Sequence, residues 1–145
     1  MTFKEALLSD IPQMSAIRLA VKENVLSNPA LVTQKDYEKY LTERGKGWVC
    51  EIDGSLVGFA IGDLVKNNVW ALFIHPDYEG KGIGKTLLTL LLNWYFTQTN
   101  KTIWLSTAPH SRAATFYRRF GWTETGITQS GEIRFELNAA QWALH

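Results

Sequence analysis

The chain has 145 residues, 46% of them hydrophobic and 20% charged, with a net charge of +1 and one cysteine. That size and composition suit one soluble globular domain over residues 1–145, and the near-neutral balance leaves no basic excess for a dedicated nucleic-acid binder. A lone cysteine, Cys50 in an apolar run, excludes an internal disulfide or a multi-cysteine zinc site and reads as a buried, inert thiol.

The first ten residues carry charge by position 5 and lack a long apolar centre, so they do not read as a signal peptide. No apolar run reaches the length of a membrane span, and the expected location is the cytoplasm. Ser9 and Asp10 before Ile11-Pro12 predict a capped helix start. Ile11, Met14, Ile17, Leu19 and Val21 carry that helix to about Val25. A second helix is expected from Thr33 to Gly45, with Tyr37, Tyr40 and Leu41 at helical spacing.

Residues 48–52 and 55–64, joined by Asp53-Gly54, predict a β-hairpin, because that pair takes the positive φ angles of a tight turn. Residues 69–74 (VWALFI) form a third extended run ending before Pro76. A mostly buried helix follows over residues 82–97, with Thr86, Thr89, Asn93 and Thr97 as its narrow polar stripe. Residues 102–106 (TIWLS) are a strand, and the strand-helix-strand crossover makes it parallel to 69–74. Residues 110–120 predict a second amphipathic helix, with Ala113, Phe116, Tyr117 and Phe120 on one face and Gly121 ending it. Two closing strands are expected over 122–128 and 132–137. The sum is an α+β fold with a mostly antiparallel sheet and one embedded parallel unit.

The loop between the third strand and its helix, YEGKGIGKTLL (78–88), has the composition of a phosphate cradle. A Walker loop requires a first glycine where the chain has Glu79, and a dinucleotide fingerprint requires a third glycine where it has Lys85. What remains is a glycine-rich turn that converges backbone N–H groups at a helix start. Such an end binds anions through unpaired donors and the positive end of the helix dipole, with Lys81 and Lys85 adding charge. A ligand-free glycine turn is the bland alternative.

On these residues the chain resembles the GCN5-related N-acetyltransferase (GNAT) superfamily. EGKGIG (79–84) is similar to its coenzyme A loop, [QR]-x-x-G-x-[GA], except at Glu79. LFIHP (72–76) looks like the family's fourth strand and exit, and HSRAATFYRRFGW (110–122) resembles its N-x-x-A-x-x-F-Y-x-x-x-G-F segment, with His110 in place of Asn. The resemblance is most specific from Val69 to Trp122. It implies a three-layer fold whose mixed sheet of six to seven strands is flanked by about four helices and splays at a parallel pair.

By that resemblance the chain is an acetyl-coenzyme A-dependent N-acetyltransferase, with the acceptor amine attacking directly in a ternary complex. It implies backbone contacts to the cofactor arm from Phe73 and Ile74, a pyrophosphate site over Gly80, Lys81, Gly82, Ile83, Gly84 and Lys85, and a contact from His110. Tyr117 would assist departure of the sulfur. A phenol near pKa 10 and a thiol near about 8.5 make full proton transfer uphill by roughly 2 kcal/mol, so a hydrogen bond to the charging sulfur is its main expected role.

The base is less defined. An alkylamine is neutral in only about one molecule in two thousand at neutral pH, yet residues 69–74 hold no carboxylate. Glu51 on the hairpin and His75 are candidates, each also readable as an ordinary surface residue; a low-pKa amine would need no strong base. Arg18, Asn24, Ser27 and Trp70 are the acceptor-side candidates. The amine could be a small molecule or a protein N-terminus, with no metal, nucleic acid or membrane involved, on a monomer or homodimer. Two rivals stand beside this: a non-catalytic acyl-coenzyme A-binding module, and a nucleotide hydrolase that Glu79 argues against. No G-x-S-x-G elbow and no metal-spaced histidines appear. The apolar tail 142–144 either seals the core or joins two subunits.

Overall fold

The computed structural model describes residues 1–21 and 32–145. Seven strands form one sheet in the order β1-β2-β3-β4-β5-β7-β6: β1 (Thr2–Glu5), β2 (Gly45–Ile52), β3 (Ser55–Asp63), β4 (Asn68–Ile74), β5 (Ile103–Thr107), β6 (Thr123–Ile127) and β7 (Ile133–Leu137). Every neighbouring pair is antiparallel except β4 and β5. Among the described residues the helices are α1 (Ile11–Ala20), α2 (Gln34–Lys39), α3 (Ile83–Gln98), α4 (Arg112–Arg119) and the short α5 (Ala139–Ala143).

Side-chain alternation along the strands divides the core between the sheet's two faces. Val49, Phe59, Ile61, Ala71 and Phe73 pack on Ile11, Met14 and Ile17 of α1 and Tyr37 of α2. Trp48, Cys50, Ala60 and Leu105 pack on the other side against Leu87, Leu88, Leu91 and Leu92 of α3 and Tyr117 of α4. The result is three layers. On the α3 side β3 presents Gly58, Ala60 and Gly62, which lets the helix approach closely. A Cβ at Gly58 would stand 2.8 Å from Ile74 Cδ1, and one at Gly62 would stand 3.2 Å from Leu91.

Local chemistry explains the element ends. Thr33 and Asp36 form a reciprocal capping box at α2, with Asp36 N–H donating to Thr33 Oγ1 and Thr33 N–H donating to Asp36 Oδ2. The helix then widens into a π turn over Tyr40–Arg44, which brings Arg44 to the fully buried Asp63 in a two-pronged pair at 3.1 and 2.7 Å. Helix α1 begins at Ile11 as expected, but Asp10 does not cap it. Its carboxylate accepts from Leu7 N–H and closes the 3-10 turn Leu8–Asp10 instead. Asp53 and Gly54 both have positive φ and make the β2–β3 turn, as the sequence predicts.

Two features shape the centre of the sheet. Between Ile61 opposite Ala71 and Gly62 opposite Val69, β4 carries one extra residue, Trp70, as a bulge. The parallel strands β4 and β5 pair at Asn68 opposite Trp104, and no further paired position follows among the described residues. That end is clamped: Trp104 N–H donates to Asn67 O at 3.0 Å, Trp104 Nε1–H to Lys66 O at 2.9 Å, and Tyr95 hydroxyl to Asn67 Oδ1 at 3.0 Å. Beyond the clamp the sheet opens as a V.

Candidate active site

The register of β4 on β3 decides which backbone groups face the V. His75 N–H donates to Val57 O, and Gly58 lies opposite Ile74 and Phe59 opposite Phe73. Antiparallel pairs alternate, so Phe73 turns its N–H and C=O to β3, while Leu72 and Ile74 turn theirs toward β5. Of the two residues expected to offer backbone groups, Ile74 faces the gap and Phe73 does not. Leu72, which sequence reasoning missed, is the second residue with that orientation.

A cavity of about 580 Å³ extends from this edge to the start of α3 and the side of α4. Leu72, Phe73 and Ile74 line it, as do Gly80, Gly82, Ile83, Gly84 and Lys85. Lys81 and His110 are exposed and are not among its lining residues; His110 sits in the left-handed region at φ 59° just before α4. Gly82 is the residue before α3, at φ 81°, and a Cβ there would meet no protein atom within 4 Å. The turn therefore needs a residue that tolerates positive φ and leaves space over the helix N-terminus. Gly84 is already helical, and a Cβ there would make an ordinary contact with Ile74 at 3.7 Å.

Glu79, at the position where the loop motif has Gln or Arg, is not alone. Arg112 at the start of α4 crosses to it, Nη1 to Oε2 at 3.1 Å, and both line the cavity. A guanidinium thus stands beside the loop from a different element. Tyr78, Thr115, Phe116 and Arg119 also line the cavity and are not among the residues that the sequence reading assigns to the site.

A second cavity of about 180 Å³ lies between the diverging strands. Leu72, Phe73, Ala113 and Tyr117 line both cavities, so they mark where the two adjoin. Arg18 and Trp70 line the second one, with Arg18 placed 4.8 Å over the Phe73 ring and Trp70 stacked on Tyr40 at 4.1 Å. Asn24 and Ser27 lie outside the described residues. Ser106, Thr107 and Glu132 complete its polar wall, and Ser106 hydroxyl donates to Glu132 Oε1 at 3.0 Å.

Tyr117 is 6% exposed, packed against Phe116, Trp122 and Phe135, and burial pushes its phenol well above the ordinary tyrosine value. It stays protonated, and what it offers is a hydrogen bond. The two base candidates lie elsewhere. Glu51 pairs with Lys4 at 2.7 Å across β1 and β2, and His75 Nδ1 accepts from Asp77 N–H at the exit of β4. Neither lines either cavity. Cys50 is fully buried and its thiol is pushed up by that burial, in line with an inert role. Among the described residues no group of three His, Cys, Asp or Glu side chains could hold a metal ion, and no helix is long and apolar enough to cross a membrane.

The sequence profile of the Acetyltransferase (GNAT) family matches residues 12–122. The chain belongs to the GNAT family. An uncharacterized N-acetyltransferase of Methanocaldococcus jannaschii is 28% identical over 105 residues, 64% of this chain and 46% of that protein. One of Archaeoglobus fulgidus is 31% identical over 96 residues, 57% of this chain and 65% of that protein. The aligned region thus spans less than two thirds of either curated relative.

Solved structures agree on the fold. The ribosomal-protein-S18-alanine N-acetyltransferase of Escherichia coli superposes with a TM-score of 0.72 at 21% identity, covering 94% of this chain and 92% of that one. A PaiA N-acetyltransferase of Thermoplasma acidophilum, solved in complex with coenzyme A, gives 0.77 at 16% identity, covering 95% of this chain and 99% of that one.

Proposed function

We propose that this GNAT domain transfers an acetyl group from acetyl-coenzyme A to an amine, by direct attack in a ternary complex. The observation that carries this reading is the junction of the two cavities at Tyr117, Phe73 and Leu72. A donor on one side and an acceptor on the other meet there.

The residues fit the cofactor. Leu72 and Ile74 offer unshared backbone groups along β4, which an extended amide-bearing arm can pair with as an additional strand. The Gly82 turn leaves open space above the α3 N-terminus, and Lys85 and Arg112 supply positive charge for a pyrophosphate. When bound, acetyl-coenzyme A supplies an activated acetyl thioester. The chain's own part is then electrostatic. A β4 N–H aimed at the thioester carbonyl stabilises its developing negative charge, an effect of about 3–4 kcal/mol for a well-placed donor. Tyr117 donates a hydrogen bond to the sulfur as the C–S bond weakens.

The acceptor is a small molecule or a protein N-terminus whose amine reaches the second cavity. The test is thiol release from acetyl-coenzyme A over a panel of alkylamines, amino acids and N-terminal peptides. Acetylated product from at least one amine is expected. Coenzyme A binding without turnover of any of them would favour the non-catalytic acyl-coenzyme A-binding module.

A further inference from the structure

We propose that Glu132, at the entry to β7, holds the acceptor's ammonium and takes up its proton. This rests on the acetyltransfer reading above and names the residue that reading lacks. Three observations carry it.

The first is position. Glu132 lines the cavity between the splayed strands together with Tyr117 and Phe73, and it is the one carboxylate among the described residues of that wall. The second is how it is built. Its backbone is fixed on both sides by Thr128, whose Oγ1 accepts from Glu132 N–H at 3.1 Å and whose N–H donates to Glu132 O at 2.8 Å. Its side chain is held by the Ser106 hydroxyl on Oε1. One carboxylate oxygen is thus anchored, and the other is available to an ammonium by a charge-assisted bond.

The third observation is size. A cavity of about 150 Å³ admits a benzene-sized group, so the 180 Å³ here takes the amine end of an acceptor and little more. The class of acceptor is therefore a cationic primary amine on a slender stem, with the remainder outside.

The step balances as follows. One ammonium proton passes to Glu132 and on to solvent. The freed nitrogen lone pair forms the amide C–N bond while the C–S bond breaks beside the Tyr117 hydroxyl. The nitrogen's second excess proton leaves by the same carboxylate, and the sulfur takes one proton from solvent, for a net release of one. The other ionisable groups facing this cavity are the Arg18 guanidinium and the Tyr117 phenol, which burial pushes further up. Arg134, two residues along β7, is engaged by Glu136 at 3.0 Å and lies over the Trp104 ring.

The experiment compares wild type with Glu132→Gln, which keeps an acceptor for Ser106 and removes the charge, and Glu132→Asp, which withdraws the carboxylate. Calorimetry with coenzyme A should give equal affinities for all three, which separates this question from the cofactor site. For alkylamines near neutral pH, kcat/KM should fall about a hundredfold or more in Glu132→Gln, with partial retention in Glu132→Asp. The loss should shrink as the pH approaches the amine's own pKa, and low-pKa amines should lose little. Wild-type kcat/KM and pH profile in Glu132→Gln, or a loss equal for all amines whatever their pKa, would overturn the assignment while leaving acetyltransfer standing. Wild-type protein that binds coenzyme A and acetylates no amine would overturn both.

Discussion

Tyr117 stands where the core meets the two cavities. The ring belongs to the core with Phe116, Trp122 and Phe135, while the residue lines both cavities. Removing only the hydroxyl, in Tyr117→Phe, should lower turnover on the order of a hundredfold and leave acetyl-coenzyme A affinity nearly unchanged, because the lost bond forms as the sulfur charges. Steady-state kinetics with the best amine checks this, and a wild-type rate would make Tyr117 a core residue only. Gly82 offers a second test. A β-branched side chain at φ 81° is strained, and it would project into space that no protein atom occupies. Gly82→Val should weaken coenzyme A at least tenfold by calorimetry while the folded signal persists; unchanged affinity would remove the pyrophosphate from this turn. Arg112 offsets the Glu79 charge beside the loop. The acidic side chain pairs with the guanidinium and keeps a cation at the cavity wall.

At the scale of elements, the register of β4 makes a prediction finer than any side chain can. Ala71 and Phe73 lie in bonded pairs with β3, whereas Leu72 and Ile74 face the gap. Hydrogen exchange should show the Ala71 and Phe73 amides slow with or without ligand, and the Leu72 and Ile74 amides slowing only when coenzyme A is added. Protection gained at Phe73 instead would mean the register is read wrongly. This also shows what the sequence made legible. The hairpin, the parallel crossover, α3, α4 and the glycine turn all follow from local pattern. Their periodicity and turn residues are written within a few positions of where they act. Strand β1 was illegible because TFKE has one half-buried residue, Phe3, and becomes a strand by lying beside Cys50 and Glu51 of β2. Helix α5 is five residues long, too short for a helical period, although Asn138 and Gln141 cap it reciprocally. Glu132 was hidden for another reason. Its partner Ser106 is 26 positions away, and only the return of β7 beside β5 brings them together. The Arg112–Glu79 pair likewise spans 33 positions.

Across the whole molecule the sheet is two halves joined at the clamped end of the V, with α3 and the tail spanning behind. The tail docks on this chain's own helices: Trp142 Nε1–H donates to Asn93 Oδ1 at 3.1 Å, and the His145 ring lies against Phe120 with Nε2 3.0 Å from Phe120 O. Of the two roles open to residues 142–144, Trp142 serves the first, sealing the core, while Leu144 remains exposed. The same core carries a pH signature. Tyr95 at the clamp is pushed up to about 12, chiefly by burial and then by the Asp63 charge, and burial raises Tyr117 further. In the unfolded chain both phenols ionise near the ordinary value of about 10, whereas the folded protein still holds them neutral. The unfolded state therefore loses protons first, and folding stability falls as pH rises. The contribution is intact below pH ~10 and declines through about 12 for Tyr95. Denaturant unfolding from pH 8 upward should show a plateau followed by a fall, and Tyr117→Phe should show a shallower one because it has no phenol to ionise. Equal alkaline slopes for wild type and Tyr117→Phe would mean that this phenol is solvated, not held in the dry wall between the two cavities.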